Sequence, residues 1–277
     1  MSLFQSFVLG IIQGLTEFLP ISSTAHLRIL PAILHWKDPG TAFSAVLQLG
    51  TMLAVVVYFR KHLLKIYGSF FNDLIVHKKF VSSESKLAFW ILLATIPICV
   101  FGLLFKEPIE TGMVRNLNLI SFYLIFFGIL LYLSEIVGKQ GRTLSNINAL
   151  DVVLIGIAQS FALLPGVSRS GVTLFAGLLL GFKRADAARF SFLLSVPAVL
   201  LSSLLELNSL FITVSKMHQN VMWLSLFLAI VSAYSVGYFA IDFLLKYLQT
   251  HKTHIFVLYR ILLGVLVIYL NYKGIVH

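Results

Sequence analysis

Six long runs that are almost free of charge constrain this chain more than any other feature of its sequence. A hydrocarbon core of roughly 30 Å is crossed by about 20 apolar residues in a helix. Hydrophobic residues make up 58% of the 277 residues and charged residues only 12%, a composition that the surface of a water-soluble protein does not sustain. We therefore predict an all-α integral membrane protein, with spans at residues 43–59, 87–105, 118–137, 190–212, 221–245 and 254–272.

The basic residues are explained by membrane orientation. The formal net charge is +10, but these residues lie mainly in loops at span ends, and the loops after the first, third and fifth spans hold about twice as many as the opposite loops. Because cytoplasmic loops are enriched in Lys and Arg, we expect both chain ends outside the cytoplasm and no nucleic-acid partner. The single cysteine, Cys99, excludes an internal disulfide.

Two further apolar stretches, residues 1–35 and 150–182, are interrupted near their middle by proline and a run of hydroxyl residues. We interpret each stretch as a re-entrant pair of half-helices that meet at a break. Non-helical backbone inside a bilayer is tolerated only where protein or a wet cavity satisfies its amides, so such breaks normally line a site. The alternative is that each interruption is an ordinary surface loop.

The two interrupted stretches also resemble each other. Gly10-Ile11-Ile12-Gln13 before the first break is echoed by Gly156-Ile157-Ala158-Gln159 before the second. Three full spans follow each copy, so the second copy must enter the membrane in the opposite direction. We predict one domain over residues 1–277, an inverted-topology repeat of about 1–140 and 145–277 with six transmembrane helices, two re-entrant pairs and a site between the half-helix ends.

The helix before the first break carries a polar stripe formed by Gln13, Thr16 and Glu17. A charge at mid-depth in a bilayer costs on the order of 2.5–3.5 kcal/mol, so an intramembrane acid usually faces a wet interior and serves a function. The alternative is that Glu17 lies near the interface and is simply solvated.

After Pro20, the hydroxyl residues Ser22, Ser23 and Thr24 are candidates to cap a following half-helix. A helix N-terminus favours phosphate, and hydroxyls placed there can bond phosphate oxygens or attack phosphorus. His26 follows in the first turn, where it can act as a general acid, a base or a nucleophile.

The second break adds an arginine to the same pattern, in the order Ser168, Arg169 and Ser170. A guanidinium grips phosphate oxygens bidentately and offsets charge that builds in a transition state. Thr173 offers another hydroxyl one turn later. The alternative for Arg169 is a loop cation that sets topology.

If the two breaks meet, they combine an acid, hydroxyls, an imidazole and a guanidinium, which is the set of groups that phosphoryl transfer requires. A carboxylate facing phosphate repels it unless a divalent cation lies between them, so we expect Mg²⁺ or Ca²⁺ with Glu17 as its protein ligand. The other intramembrane acids, Glu135, Glu206 and Asp242, lie at span ends and are expected to be interfacial.

Residues 13–26 resemble the first signature of the undecaprenyl-diphosphate phosphatase family, also called the bacitracin-resistance protein family, and residues 165–171 resemble its second. The likeness in length, span pattern and motif order covers the whole chain. The resemblance implies hydrolysis of undecaprenyl diphosphate to the monophosphate, which recycles the carrier lipid for cell-wall synthesis at the outer face of the plasma membrane. It also implies a divalent metal and inverted repeats with re-entrant helices.

Matched by position, the resemblance makes Glu17 the essential acid, Ser23 the proposed nucleophile, His26 its base or acid partner and Arg169 the phosphate clamp. Gln13, Ser22, Thr24, Ser168, Ser170 and Thr173 are the expected substrate-binding residues. The family has Glu or Gln at the first motif position, and Gln13 here removes the second carboxylate of a two-acid metal site. Ala25 replaces a glycine of many relatives.

Two competing functions remain open at the level of sequence. Inverted repeats with broken helices are also the plan of secondary transporters, so a lipid-phosphate flippase or transporter is the alternative. An unrelated type-2 phosphatidic-acid phosphatase is disfavoured because neither of its two sequence elements is present. Expected partners are the prenyl lipid substrate and membrane lipids; the oligomeric state stays open, with a homodimer as one option.

Overall fold

The computed structural model describes residues 1–105, 115–216 and 220–276, apart from the side chains of residues 42, 203–216 and 220–222. Within these ranges the chain is helical and forms no β-strand. The helices are α1 (Leu3–Phe18), α2 (Ser23–Ile33), α3 (Gly40–Tyr58), α4 (Arg60–Asn72), α5 (Ser83–Leu104), α6 (Leu117–Val137), α7 (Ala149–Ser160), α8 (Arg169–Leu179), α9 (Arg184–Lys216), α10 (Asn220–Thr250) and α11 (His254–Tyr272). Short helical turns lie at Asp73–His77, Leu144–Asn146 and Phe161–Leu163.

Among the described residues, five helices are long and apolar enough to cross a membrane, namely α5, α6, α9, α10 and α11. The predicted first span corresponds to α3, which is followed after Phe59 by α4 at an angle of 79°, and this bent pair counts as a sixth candidate if it is one span. The predicted multi-pass, all-α membrane protein is therefore confirmed, with five or six candidate spans by length and composition. Glu206 lies outside the described side chains.

Both interrupted stretches break just before a proline. Leu19, which precedes Pro20, and Leu164, which precedes Pro165, both have extended backbone with ψ values of 138° and 140°. The ring of a proline disfavours helical backbone in the preceding residue, so the helix ends there. The breaks therefore follow directly from the sequence.

A serine restarts the helix after each break. Ser22 and Ser168 have φ values of 74° and 69°, and each side chain accepts a hydrogen bond from a backbone N–H three residues on, at 3.4 and 3.1 Å. The helices that they cap, α2 and α8, are both 11 residues long. Neither reaches the length of about 20 residues that crosses a bilayer alone.

The local structure of the two stretches matches beyond the breaks. Ser2 and Asn148 both close a capping box at the start of α1 and α7, and Leu34 and Leu180 cap the ends of α2 and α8. The spacing in sequence between Ser2 and Asn148 equals that between Leu34 and Leu180. Ser22 and Ser168 have the same spacing. The two stretches thus share one sequence of caps, break and half-helix.

Equivalent glycines let α1 and α7 approach neighbouring spans closely. A Cβ at Gly10 would lie 2.4 Å from the carbonyl oxygen of Ala229 on α10, and a Cβ at Gly156 would lie 2.7 Å from that of Ala94 on α5. Small residues at such contacts allow helix backbones to pack directly in a membrane. Both broken stretches are therefore held against a full span.

We expect Gly10→Ala to destabilise the fold by about 1–3 kcal/mol, because the added methyl group overpacks the contact with α10. Thermal unfolding in detergent should show a lower midpoint than for the unaltered chain. Gly68→Ala is the matched control, because Gly68 is also helical and a Cβ there meets nothing within 4 Å. Equal midpoints for the two variants would contradict the close packing of α1.

Candidate active site

Glu17 lies at the centre of a buried polar cluster where α1 ends. Its Oε2 accepts hydrogen bonds from Gln13 Nε2 at 2.9 Å and from Ser23 Oγ at 2.6 Å, and its Oε1 forms an ion pair with Arg169. Gln13 reaches it because the two side chains are four residues apart on one helix face. The carboxylate side chain is only 6% exposed. Of the four predicted catalytic residues, Ser23 and Arg169 therefore both contact the third, Glu17.

The two breaks contact each other inside the protein. Arg169 is the first residue of α8, and its guanidinium crosses to Glu17 of the first stretch. One residue later, the Ser170 hydroxyl donates to the carbonyl of Leu19 at 3.2 Å. A buried charge is tolerated when it is paired and hydrogen-bonded, and the Glu17–Arg169 pair meets that condition. The structure thus brings together the two breaks whose meeting we considered from the sequence.

The remaining hydroxyl groups of the breaks hold local structure. Ser22 and Thr24 approach each other at 3.1 Å between their hydroxyl oxygens, and Ser168 and Ser170 do so at 3.2 Å. Thr173 faces away from the cluster, because its hydroxyl donates to the carbonyl of Arg169 at 2.8 Å and lies 2.6 Å from the hydroxyl of a serine on α9. Contact of any of these side chains with substrate stays a prediction.

His26 is paired differently from the expectation. Its Nδ1 lies 2.7 Å from the carbonyl oxygen of Ser22, and its Nε2 lies 2.7 Å from the hydroxyl oxygen of Tyr259 on α11. Ser23, its expected partner, instead donates to Glu17. Ser23 and His26 are three residues apart, so they share one face of α2. The imidazole therefore lies beside the Glu17 cluster and bonds outside it.

Arg260, one residue after Tyr259, links the two breaks and was missed from the sequence. It is fully buried, and its guanidinium donates to the carbonyl of Pro20 at 3.2 Å and to those of Gly166 and Val167 at 3.2 and 3.0 Å. It also bonds two carbonyls of α6. The signal was present: an arginine within the run 254–272 is an intramembrane charge, which is a mark of function or structural need.

The other acids of the spans lie elsewhere. Glu135 is buried at the end of α6, where it pairs with Arg184 and accepts a hydrogen bond from Thr253 at 2.9 Å. Asp242 accepts from Tyr58 at 3.0 Å and pairs with Lys246 at 2.7 Å. Both carboxylates are satisfied away from the breaks.

A cavity of about 420 Å³ lies away from the Glu17 cluster. Its one acid, Asp38, is paired with Arg28 and Arg115. The described residues that line this cavity include one carboxylate and two guanidiniums but no hydroxyl group, whereas the Glu17 cluster combines a carboxylate, a guanidinium and hydroxyls. The breaks are therefore our candidate active site. The cavity is lined by Arg28, Asp38, Arg115, Asn116, Leu117, Asn118 and Asn271.

A divalent cation fits the cluster only as a hydrated ion. Within the described residues, no group of three or more His, Cys, Asp or Glu side chains converges to form a protein cage. Glu17 is the one carboxylate of the cluster, and its neighbours Ser23 and Gln13 carry further oxygen atoms. Mg²⁺ is typically bound by one or two carboxylates while it keeps several waters, so the donor set is compatible with Mg²⁺.

We expect Arg260→Met to lower the free energy of unfolding by about 3 kcal/mol or more, because it leaves buried carbonyls of both breaks without a donor. Thermal unfolding in detergent measures this loss. Arg60→Met is the matched control, since Arg60 is exposed and donates only to the carbonyl of Val57 among the contacts seen. If both variants unfold at the temperature of the unaltered chain, Arg260 does not hold the breaks.

The chain is similar to known proteins over nearly its whole length. A family profile described as bacitracin resistance protein BacA matches residues 6–266. Relatives named undecaprenyl-diphosphatase include one from Chlorobaculum parvum, 46% identical over 96% of this chain and 95% of the relative. Others come from Myxococcus xanthus, 46% identical over 99% and 91%, and from Gloeobacter violaceus, 47% identical over 98% and 93%. This chain belongs to the bacitracin resistance protein BacA family.

Proposed function

We propose that this chain hydrolyses undecaprenyl diphosphate to undecaprenyl phosphate and inorganic phosphate. The observation that carries the proposal is the contact of Glu17 with Ser23 and Arg169 across two breaks. The family and the shared name of its relatives give the substrate. The reaction recycles the carrier lipid for peptidoglycan synthesis, and the family is named for bacitracin resistance.

The proposed architecture is an inverted-topology repeat in which α1–α2 and α7–α8 are re-entrant pairs. It is supported by the matched caps of the two stretches, by the shortness of the four helices and by the contact between the breaks. In this arrangement the two stretches enter from opposite sides and their tips meet at mid-depth. We place the chain in the plasma membrane with the site open to the outer face.

Binding of the diphosphate is assigned to groups of both breaks. The first turns of α2 and α8 begin at the breaks, and the leading amides of a helix lack partners within the helix and attract anions. The Arg169 guanidinium has five N–H donors, so it can hold Glu17 and phosphate oxygens together. The prenyl tail lies in a lateral groove between apolar spans, and the headgroup between the tips.

The attacking oxygen belongs to Ser23 or to a water beside it. The Ser23 hydroxyl donates to Glu17 Oε2 at 2.6 Å, so the carboxylate orients that oxygen and can accept its proton. Arg169 and the helix amides stabilise the charge on the transferring phosphoryl group, which is the main task in phosphoryl transfer. His26 is the acid–base group that serves the leaving phosphate.

A divalent metal, Mg²⁺ or Ca²⁺, completes the proposed site. Glu17 would hold it, with the oxygens of Ser23 and Gln13 nearby. When bound, the ion would offset the charge of the diphosphate and of the transition state. Arg169 already neutralises part of the charge of Glu17 in the structure, so a metal would share that task with the guanidinium.

The transporter alternative uses the same architecture but is not favoured. The relatives are named for hydrolysis, and the Glu17 cluster supplies an oriented hydroxyl that binding alone does not require. Hydrolysis therefore accounts for more of the site than carriage of the lipid does.

We expect Glu17→Gln and Arg169→Lys each to reduce kcat by about 10²-fold or more, because each removes a charge or bidentate contact used in the transition state. Release of phosphate from undecaprenyl diphosphate by purified protein measures this. Glu84→Gln is the control, since Glu84 forms its ion pair with Lys65 at a partly exposed position outside the breaks. Full activity of both site variants would exclude the proposed mechanism.

We also expect a chelator to stop phosphate release and added Mg²⁺ or Ca²⁺ to restore it, because the metal offsets charge that Arg169 alone does not. The measurement is turnover against free metal concentration. Undiminished turnover in excess chelator would remove the metal from the mechanism and leave the guanidinium as the sole cation.

A further inference from the structure

The hydrogen bonds of His26 fix which of its ring nitrogens can exchange a proton. The carbonyl of Ser22 only accepts hydrogen bonds, so Nδ1, at 2.7 Å from it, must carry its hydrogen throughout. Proton exchange is therefore confined to Nε2. That atom lies 2.7 Å from the hydroxyl oxygen of Tyr259.

The same contacts argue against His26 as a nucleophile. A nucleophilic imidazole presents a nitrogen lone pair to phosphorus. Here Nδ1 is a donor to Ser22, and Nε2 is occupied by the hydroxyl of Tyr259. The nearest group that can take a proton from Nε2, or give one to it, is that hydroxyl.

The position of Tyr259 beside His26 is fixed by its surroundings. Its ring lies parallel to the His26 ring, with an interplanar angle of 6° and centroids 5.6 Å apart. The next residue, Arg260, is anchored to the carbonyls of both breaks, which fixes this turn of α11 relative to α2 and α8. The tyrosine is also 43% exposed, so its side chain is not enclosed by protein on all sides.

We propose that Tyr259 is a catalytic residue that relays a proton from the His26 imidazolium to the leaving phosphate. This inference rests on the proposed hydrolysis. As the oxygen of Ser23 or of water bonds to phosphorus and the bridging P–O bond breaks, the Nε2 proton passes to the Tyr259 oxygen and the Tyr259 proton passes to the leaving oxygen. The proton of the attacking oxygen passes to Glu17. If Ser23 attacked, a water oxygen then bonds to phosphorus, the Ser23 O–P bond breaks, Glu17 returns its proton to the Ser23 oxygen and inorganic phosphate leaves. Tyr259 is unchanged, and exchange with water reprotonates His26 and, where water attacked directly, deprotonates Glu17.

The test compares Tyr259→Phe with the unaltered chain in the detergent-purified protein supplied with undecaprenyl diphosphate. The variant keeps the ring and removes only the hydroxyl. We expect kcat to fall by about 10²-fold, the lower end of general acid catalysis, with KM unchanged. A proton inventory in mixtures of H₂O and D₂O should be curved for the unaltered chain, because the two relayed protons move together with the proton of the attacking oxygen. It should be linear for the variant, in which only the proton of the attacking oxygen moves.

Tyr269→Phe is the matched control, because Tyr269 is on the same helix with an exposed ring. It should keep both the rate and the curved inventory. In a His26→Ala background, Tyr259→Phe should cause no further loss, since the relay acts only through the imidazole. Additive losses in the double variant would overturn the inference.

The failures of the two proposals can be told apart. If the unaltered chain releases no phosphate, the proposed function fails. If it releases phosphate and Glu17→Gln abolishes this, but Tyr259→Phe keeps the same kcat and the same inventory, only the relay is excluded. If Tyr259→Phe unfolds at the same midpoint temperature as the unaltered chain, a lower kcat is not caused by unfolding.

Discussion

The structure depends on satisfying the buried backbone of two broken helices. Each break has carbonyl groups that no helix or sheet pairs, at residues that are buried in the protein, where an unpaired carbonyl is costly. Arg260 meets this need from α11: one buried guanidinium bonds the carbonyls of Pro20, Gly166 and Val167. The planar guanidinium has five N–H donors and can bond several carbonyl groups at once, whereas the compact ammonium group of a lysine is less suited to this. The same contact brings the breaks together, so the group that satisfies the backbone also assembles the candidate site.

Once the breaks meet, each supplies what the other lacks. The first brings the carboxylate of Glu17, the hydroxyl of Ser23 and the imidazole of His26. The second brings the guanidinium of Arg169, which is the first residue of α8 as Ser23 is the first residue of α2. The charges of Glu17 and Arg169 offset each other within the protein, and the unused donors of the arginine remain for an anion. A repeated scaffold thus produces an asymmetric site from two different sets of side chains.

Much of this could be predicted from the sequence, because it has local causes. The long spans follow from length and hydropathy, the breaks from Pro20 and Pro165, and the caps from the serines that follow them. The meeting of Glu17 with Arg169 was inferred from motif chemistry. The bonds made by α11 could not be foreseen: Arg260 binds carbonyls, which every residue has, and Tyr259 has no feature that separates it from the other aromatic residues of the spans. The bend between α3 and α4 falls at Phe59, where the predicted first span ends and the basic residues Arg60 and Lys61 follow.

A structure of the chain with a non-hydrolysable prenyl diphosphate, in which a methylene group replaces the bridging oxygen, would show whether the two breaks hold the diphosphate. We expect phosphonate oxygens between the two breaks, within hydrogen-bond distance of the Arg169 guanidinium and of the first amides of α2 and α8, with the prenyl chain leaving sideways between spans. A diphosphate bound elsewhere, for example in the cavity beside Asp38, with Arg169 contacting only Glu17, would contradict this expectation.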